Sequence, residues 1–250
     1  MSTSPLRLEG KRALVTGAAR GIGAAIALKL AEDGADVAIT YEKSGEKAEA
    51  LAANIRALGR NAVAIQADAA SLEAAKGAVD KTVSDLGGLD ILVNNAGVLF
   101  AGDFAKQPLE EIDLQLNVNV RGVFLITQLA LEHIPDGGRI ISVGSNAGLS
   151  VPFAGIAVYA ATKSALESFT RGLARELGPR KITVNLVRPG PINTDMNPED
   201  GPIAPHVLPS LSITRYGQPN EVAEAVAFLA GPGAAYVTGS GILVDGGISA

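Results

Sequence analysis

The chain has 250 residues, with 26 acidic and 21 basic side chains and a formal charge of -5. That length suits one α/β domain, and the negative sign argues against a nucleic-acid or anionic-membrane surface. Hydrophobic residues make up 47%, which excludes wholesale disorder, and the absence of cysteine excludes disulfides, thiolate metal sites, a catalytic thiol and iron–sulfur clusters. Short β-branched runs alternate with longer Ala-rich stretches. The pattern predicts strands at Arg12–Thr16, Val37–Thr40, Val63–Gln66, Leu89–Val93, Arg139–Val143, Ile182–Val187 and Gly241–Val244. Between them it predicts helices over Gly21–Asp33, Glu46–Leu58, Leu72–Leu86, Leu109–His133, Val158–Leu177 and Glu221–Leu229. Apolar strands alternating with helices imply a single-domain α/β Rossmann fold, a doubly wound seven-stranded parallel sheet with helices on both faces. Residues 1–10 contain no apolar signal core, and Ser, Asn, Gly and Pro interrupt the uncharged stretch 140–162. The chain therefore reads as cytoplasmic, with no membrane partner. Pro189, Pro191, Pro198, Pro202, Pro205 and Pro209 crowd one segment, which reads as a substrate-binding loop over 191–215.

The first strand runs into Thr16-Gly17-Ala18-Ala19-Arg20-Gly21-Ile22-Gly23 and then a helix. Gly17 permits a tight turn, and Gly21 and Gly23 let backbone approach a pyrophosphate at the helix N-terminus. No Lys follows in the position that an ATP-binding loop requires. An NAD site of this kind places an acid at the end of the second strand, where Tyr41 stands here. Arg20, Lys43 and Ser44 supply two cations and a hydroxyl suited to a 2′-phosphate, which favours NADP(H) over NAD(H). Glu42 is the competing residue, because a shift of one position would make it the ribose acid.

At the other end of the sheet sequence, Tyr159 and Lys163 stand four apart at the start of a helix and so share one face. Ser145 closes the fifth strand. His133 and His206 lack any metal-ligand spacing, so no metal is expected.

Taken together, these motifs resemble the short-chain dehydrogenase/reductase family over essentially the whole chain. The matching residues are Thr16–Gly23, Asp68, Asn94-Asn95-Ala96-Gly97, Asn119, Ser145, Tyr159, Lys163, Pro189-Gly190 with Thr194, Tyr236-Val237-Thr238-Gly239 and Val244-Asp245-Gly246-Gly247. The branch it is most similar to holds 3-oxoacyl-carrier-protein reductases and ketone reductases. The resemblance implies that Tyr159 is the general acid, that Lys163 lowers its pKa, and that Ser145 hydrogen-bonds the substrate oxygen. Asn119 would interrupt its helix and hold a water that links Lys163 to solvent, with Asn117 as a competitor; Ser142 competes with Ser145. Asp68 and Ala69 would meet the adenine, and Asn95, Ala96 and Gly97 the adenosine ribose. Ile192 and Thr194, behind Pro189 and Gly190, would approach the carboxamide and phosphates. Asn146, Phe153 and Met196 would line the substrate pocket, with Asp195 as a loop cap.

Family members that act on carrier-protein substrates carry basic residues at places near Asp136 and Arg180. Arg180 fits and Asp136 has the wrong sign, which favours a small free ketone or aldehyde. The resemblance thus implies an NADPH-dependent carbonyl reductase. The alternatives are an NAD-dependent alcohol or polyol dehydrogenase, a 3-oxoacyl-carrier-protein reductase, and a cofactor-binding protein without chemistry. It also implies a homotetramer packed through the helices near Leu109–His133 and Val158–Leu177 and through the C-terminal strand.

Overall fold

The computed structural model describes residues 6–250. Seven parallel strands form one sheet in the order β3-β2-β1-β4-β5-β6-β7. They are β1 (Arg12–Val15), β2 (Asp36–Tyr41), β3 (Ala62–Gln66), β4 (Ile91–Asn94), β5 (Arg139–Val143), β6 (Thr183–Pro189) and β7 (Gly241–Val244). The long helices are α1 (Gly21–Glu32), α2 (Gly45–Ala57), α3 (Leu72–Leu86), α4 (Leu109–Leu116), α5 (Val123–Ala130) and α6 (Ala157–Leu177). A short α7 (Ala204–Val207) and the longer α8 (Pro219–Ala230) complete the set.

Strand residues alternate between two cores. One face of β1 contributes Ala13 and Val15 to a cluster with Ile26 and Leu30 of α1, Leu51 and Ile55 of α2, and Val222 and Val226 of α8. Leu14 points the other way, into a cluster with Val79 of α3, Ile126 of α5 and Leu173 of α6. Each full burial of such a side chain contributes about 1.5–3 kcal/mol, which is why a strand apolar on both sides settles in the sheet's centre.

The chain first builds outward from β1 to β3, then returns past β1 to start β4. The order therefore reverses between β1 and β4. In an open parallel sheet the crevice at such a reversal, beyond the strands' C-terminal ends, is where ligands bind. The Gly-rich turn after β1 and the Asn95–Gly97 turn after β4 both lie there.

The expected helix over Leu109–His133 is divided. Between α4 and α5 the backbone takes a π-helical form at Asn117–Gly122. At its end Gly122 packs closely on a distant part of the chain: a Cβ there would lie 2.3 Å from the Ala69 carbonyl oxygen. The widened turn carries Asn119 fully into the interior and leaves Asn117 at the surface. No helix among the described residues is long and apolar enough to cross a membrane.

Candidate active site

The phosphate turn is held by the side chains around it. Thr16 Oγ1 accepts from the Asn95 and Ala96 amides, each at 3.0 Å. Asn95 Nδ2 donates to the Thr16 and Gly17 carbonyls at 2.8 and 3.0 Å. The Gly17 amide donates to Thr40 Oγ1 at 3.0 Å, tying the turn to the end of β2. Gly17 and Gly21 take left-handed φ values of 62° and 56°, and Thr194 packs against Gly21.

Gly23 is the tightest point: a Cβ there would stand 2.4 Å from Asn95 Nδ2 and 2.8 Å from the Gly17 carbonyl oxygen. Gly23→Ala is therefore expected to destabilise the protein by about 1–3 kcal/mol through overpacking and to weaken dinucleotide binding with it. Urea midpoints and a cofactor titration on the same variant check both; wild-type values for both would mean the turn is not held as described.

Arg20 precedes α1, whose first turn has no side-chain cap and no acidic residue. Its guanidinium pairs with Asp195 Oδ2 at 3.0 Å. Lys47, on the first turn of α2, approaches the same oxygen at 3.6 Å. Asp195, expected as a loop cap, is thus an ion-pair partner instead, and the two cations hold its carboxyl below the usual range, Arg20 most of all. Lys43 pairs with its own neighbour Glu42 at 3.2 Å. Ser44 caps α2 by position but makes no side-chain capping bond, and the Tyr41 ring lies against Gly45. Asp68 turns back to accept from the Ala70 amide at 2.9 Å, beside Ala69.

At the reacting end, Ser145 caps a short 3-10 turn just past β5 and accepts from the Ala147 amide at 3.1 Å. Ser142 lies inside β5, in contact with Asn94 at 3.3 Å, away from the strand tip. Tyr159 and Lys163 lie on the first two turns of α6, with Lys163 Nζ 5.6 Å from the Tyr159 ring centroid. Helix α6 is braced on β6 by a bidentate, partly buried Glu167–Arg188 pair with both contacts at 2.6 Å.

The Lys163 ammonium donates to the Val143 carbonyl at 3.0 Å, and burial lowers its pKa to about 8. Burial raises the Tyr159 phenol above its usual value, and the Ser145 hydroxyl opposes that rise. Asn119 accepts from the Val98 amide at 2.9 Å and donates to the Val98 carbonyl at 2.8 Å and to Thr162 Oγ1 at 3.1 Å. Thr162 in turn donates to the Tyr159 carbonyl at 2.7 Å. The Asn119 amide nitrogen is thus committed to pinning the β4 loop to α6. A Cβ on Gly97 would lie 3.4 Å from Asn119 Oδ1 and 3.5 Å from Lys163 Nζ, which places Gly97 between the two.

Beyond β6, Gly190 packs on Asp245 and donates to the Val244 carbonyl at 3.0 Å, while Ile192 is buried and bridges to Gly217. Of the pocket candidates, Asn146 is buried beside Ser145, whereas Phe153 and Met196 are exposed. Buried Tyr216 donates to Asn197 Oδ1 at 3.3 Å and so anchors the Pro-rich loop. A cavity of about 340 Å³ between this loop and β7 is lined by Leu211, Ile213, Arg215 and Leu243, and neither Ser145 nor Tyr159 reaches it.

Asp136 and Arg180 need correction. They pair with each other at 3.2 Å and precede β5 and β6, at the strands' N-terminal edge. That edge is opposite the site, so neither residue bears on its entrance. Lys47, Thr162 and Tyr216 also contribute, and no sequence motif singles them out. Thr16 stands where its motif puts it, as the residue that ties the turn to Asn95 and Ala96. Among the described residues, no three His, Asp or Glu side chains gather as metal ligands.

A Gly-rich turn at the sheet's reversal point, beside a Ser, Tyr and Lys constellation, defines a dinucleotide-dependent oxidoreductase of Rossmann type. The chain belongs to the short-chain dehydrogenase/reductase family. Residues 17–249 match the family model described as enoyl-(acyl carrier protein) reductase. A short-chain dehydrogenase from Burkholderia cenocepacia J2315, solved in complex with NADP, is 55% identical, with a TM-score of 0.96 over 98% of this chain and 100% of that one. A blue fluorescent protein from a metagenomic library, solved with NADPH, is 49% identical, with the same TM-score and coverage. The cyclic-di-GMP-binding biofilm dispersal mediator protein of Escherichia coli (strain K12) is 43% identical over 96% of this chain and 98% of its own length.

Proposed function

We propose that the protein is an NADP(H)-dependent carbonyl reductase that converts a ketone or aldehyde to an alcohol. The observation that carries this reading is the convergence of Ser145, Tyr159 and Lys163 on the C-terminal edge of the sheet, next to the glycine turn.

The residues present fit a dinucleotide. The uncapped first turn of α1 offers amides to a diphosphate, and a carboxylate of the chain itself already occupies the cations beside it. Gly17, Gly21, Ile22 and Gly23 would hold the diphosphate, Asp68 and Ala69 the adenine, and Asn95 to Gly97 the adenosine ribose. Pro189 to Thr194 would flank the nicotinamide. When bound, the cofactor supplies a hydride to the carbonyl carbon. The chain supplies the rest: Ser145 donates a hydrogen bond to the carbonyl oxygen and stabilises its developing charge. Tyr159 gives that oxygen its phenolic proton. Lys163 holds the ribose and keeps a positive charge near the phenol. Asn119 fixes α6 against the β4 loop.

Relatives solved with NADP and NADPH favour the phosphorylated cofactor. A fluorescence titration with NADPH and NADH, following tyrosine since Trp is absent, is expected to show at least a tenfold preference for NADPH, about 1.4 kcal/mol. Equal or reversed affinity would favour an oxidative NAD-dependent alcohol dehydrogenase. Exposed Leu109, Leu114 and Phe124 on α4 and α5, with exposed Leu243 on edge strand β7, support assembly into a homotetramer. We place the protein in the cytoplasm.

A further inference from the structure

We propose that the second cation for the cofactor's 2′-phosphate is Lys47 rather than Lys43, and that Asp195 is a built-in competitor for that phosphate. The proposal rests on the NADP(H) reading above.

Two cations from different elements converge on one oxygen of one carboxylate. Arg20 reaches Asp195 Oδ2 from the turn before α1 at 3.0 Å, and Lys47 reaches it from the first turn of α2 at 3.6 Å. An anion held between these two elements stands beyond the end of β2, where the ribose 2′ position is read in folds of this kind. Lys43 has no share in this cluster: it bonds Glu42 and is 86% exposed. The sequence points to Lys43 from its place just beyond the end of β2. In the folded chain Lys47, and not Lys43, joins Arg20.

All three members are more than half exposed, at 54%, 63% and 60% for Arg20, Lys47 and Asp195. Exposed pairs of this kind are worth about 0–1 kcal/mol, so Asp195 holds the cations weakly. A phosphate monoester carries a charge of about -1.5 to -2 at pH 7 and three acceptor oxygens, and it takes a guanidinium more strongly than one carboxylate does. The depressed Asp195 pKa, owed first to Arg20 and then to Lys47, fits two cations poised for a stronger anion. Asp195 follows Thr194, which packs on Gly21, and precedes Met196 at the start of the Pro-rich loop. The competing carboxylate is therefore carried by the loop itself.

Isothermal titration with adenosine 2′,5′-diphosphate and with AMP tests both claims without turnover, since the two ligands differ only in the 2′-phosphate. Wild-type protein is expected to prefer the diphosphate by tenfold or more. Lys47→Ala is expected to lose about tenfold on the diphosphate and little on AMP, and Lys43→Ala less than twofold on either. Asp195→Asn is expected to gain about three- to fivefold on the diphosphate alone. If the wild type shows no preference, the NADP(H) reading itself falls. If the preference stands but survives Lys47→Ala, or Lys43→Ala abolishes it, Lys47 is not the second cation. A gain of less than twofold for Asp195→Asn, or a loss, overturns the competitor role. The sites are exposed, so folding is expected to survive, and thermal midpoints within a few degrees of wild type check that.

Discussion

Tyr159→Phe is expected to lower reductive turnover on the order of 10³-fold, while the dinucleotide still binds and the fold is unchanged. The change removes one oxygen and no carbon. The ring keeps its place on α6, beneath Lys163 Nζ at 5.6 Å, and Ser145 keeps its bond from the Ala147 amide. On the proposed mechanism, what disappears is the proton donor. Positioned acids of this kind contribute about 10²–10⁴-fold, and Ser145 cannot replace the phenol because an alkoxide is a far poorer leaving base than a phenolate. The phenol also starts at a disadvantage. Burial raises its pKa, with Ser145 opposing, so the proton is present at pH 7 and needs help to leave. Ser145→Ala should therefore act twice, removing the hydrogen bond to the substrate oxygen and leaving the phenol harder to ionise. Turnover of the best substrate from a ketone and aldehyde panel, with a parallel NADPH titration, checks the prediction. Retention of a tenth of wild-type turnover by Tyr159→Phe would mean that another group delivers the proton. Loss of NADPH binding would mean that the tyrosine serves the cofactor instead.

The strands were legible because each is a short apolar run between glycine or polar turns, and all seven stand where that pattern puts them. The helix break at Asn117–Gly122 was not legible as a backbone form. Nothing in the run Leu116-Asn117-Val118-Asn119 departs from helical periodicity, and the close approach of Ala69 to Gly122 that accompanies the break is tertiary. Asn119 entered through the family resemblance, and the choice between it and Asn117 follows from burial alone. Residue types fixed at short spacing, such as Tyr159 and Lys163, could be read together. Partners far apart in the chain could not: Arg20 with Asp195, Asn119 with Val98, and Arg180 with Asp136 are set by topology. Asp136 and Arg180 show the error this causes, since two loops that look like entrance loops in sequence lie on the sheet's wrong edge. The electrostatics were also only partly legible. The sequence gives Lys163 a charge near Tyr159, but not the depth of burial that makes that charge costly to keep.

That cost sets the second large effect. Lys163 is 5% exposed and its pKa stands near 8, against 10.5 for a free lysine, with burial as the cause. Below pH 8 the folded and unfolded chains both carry the proton, and the native state bears the full penalty. Above 10.5 both are neutral and the penalty is gone. Between these values the unfolded chain binds more protons, so stability rises with pH across that window, by about 3 kcal/mol from this one group. Lys163→Met has no such gain. Groups far from the site titrate alike in both proteins and cancel in the difference, and making the comparison in a Tyr159→Phe background removes the one neighbour whose titration Lys163 would shift. The expected result from urea unfolding between pH 7 and 10.5 is that Lys163→Met loses about 3 kcal/mol relative to its Lys163 parent as pH rises. A difference that stays flat across the window would show that the ammonium is not destabilised in the fold. Its bond to the Val143 carbonyl and the Tyr159 ring 5.6 Å away offset the burial only in part, so the cation is kept against stability. The proposed mechanism supplies the reason: a neutral methionine could neither hold a ribose hydroxyl nor favour a phenolate, and turnover in the variant is expected to fall by at least 10² at pH 7.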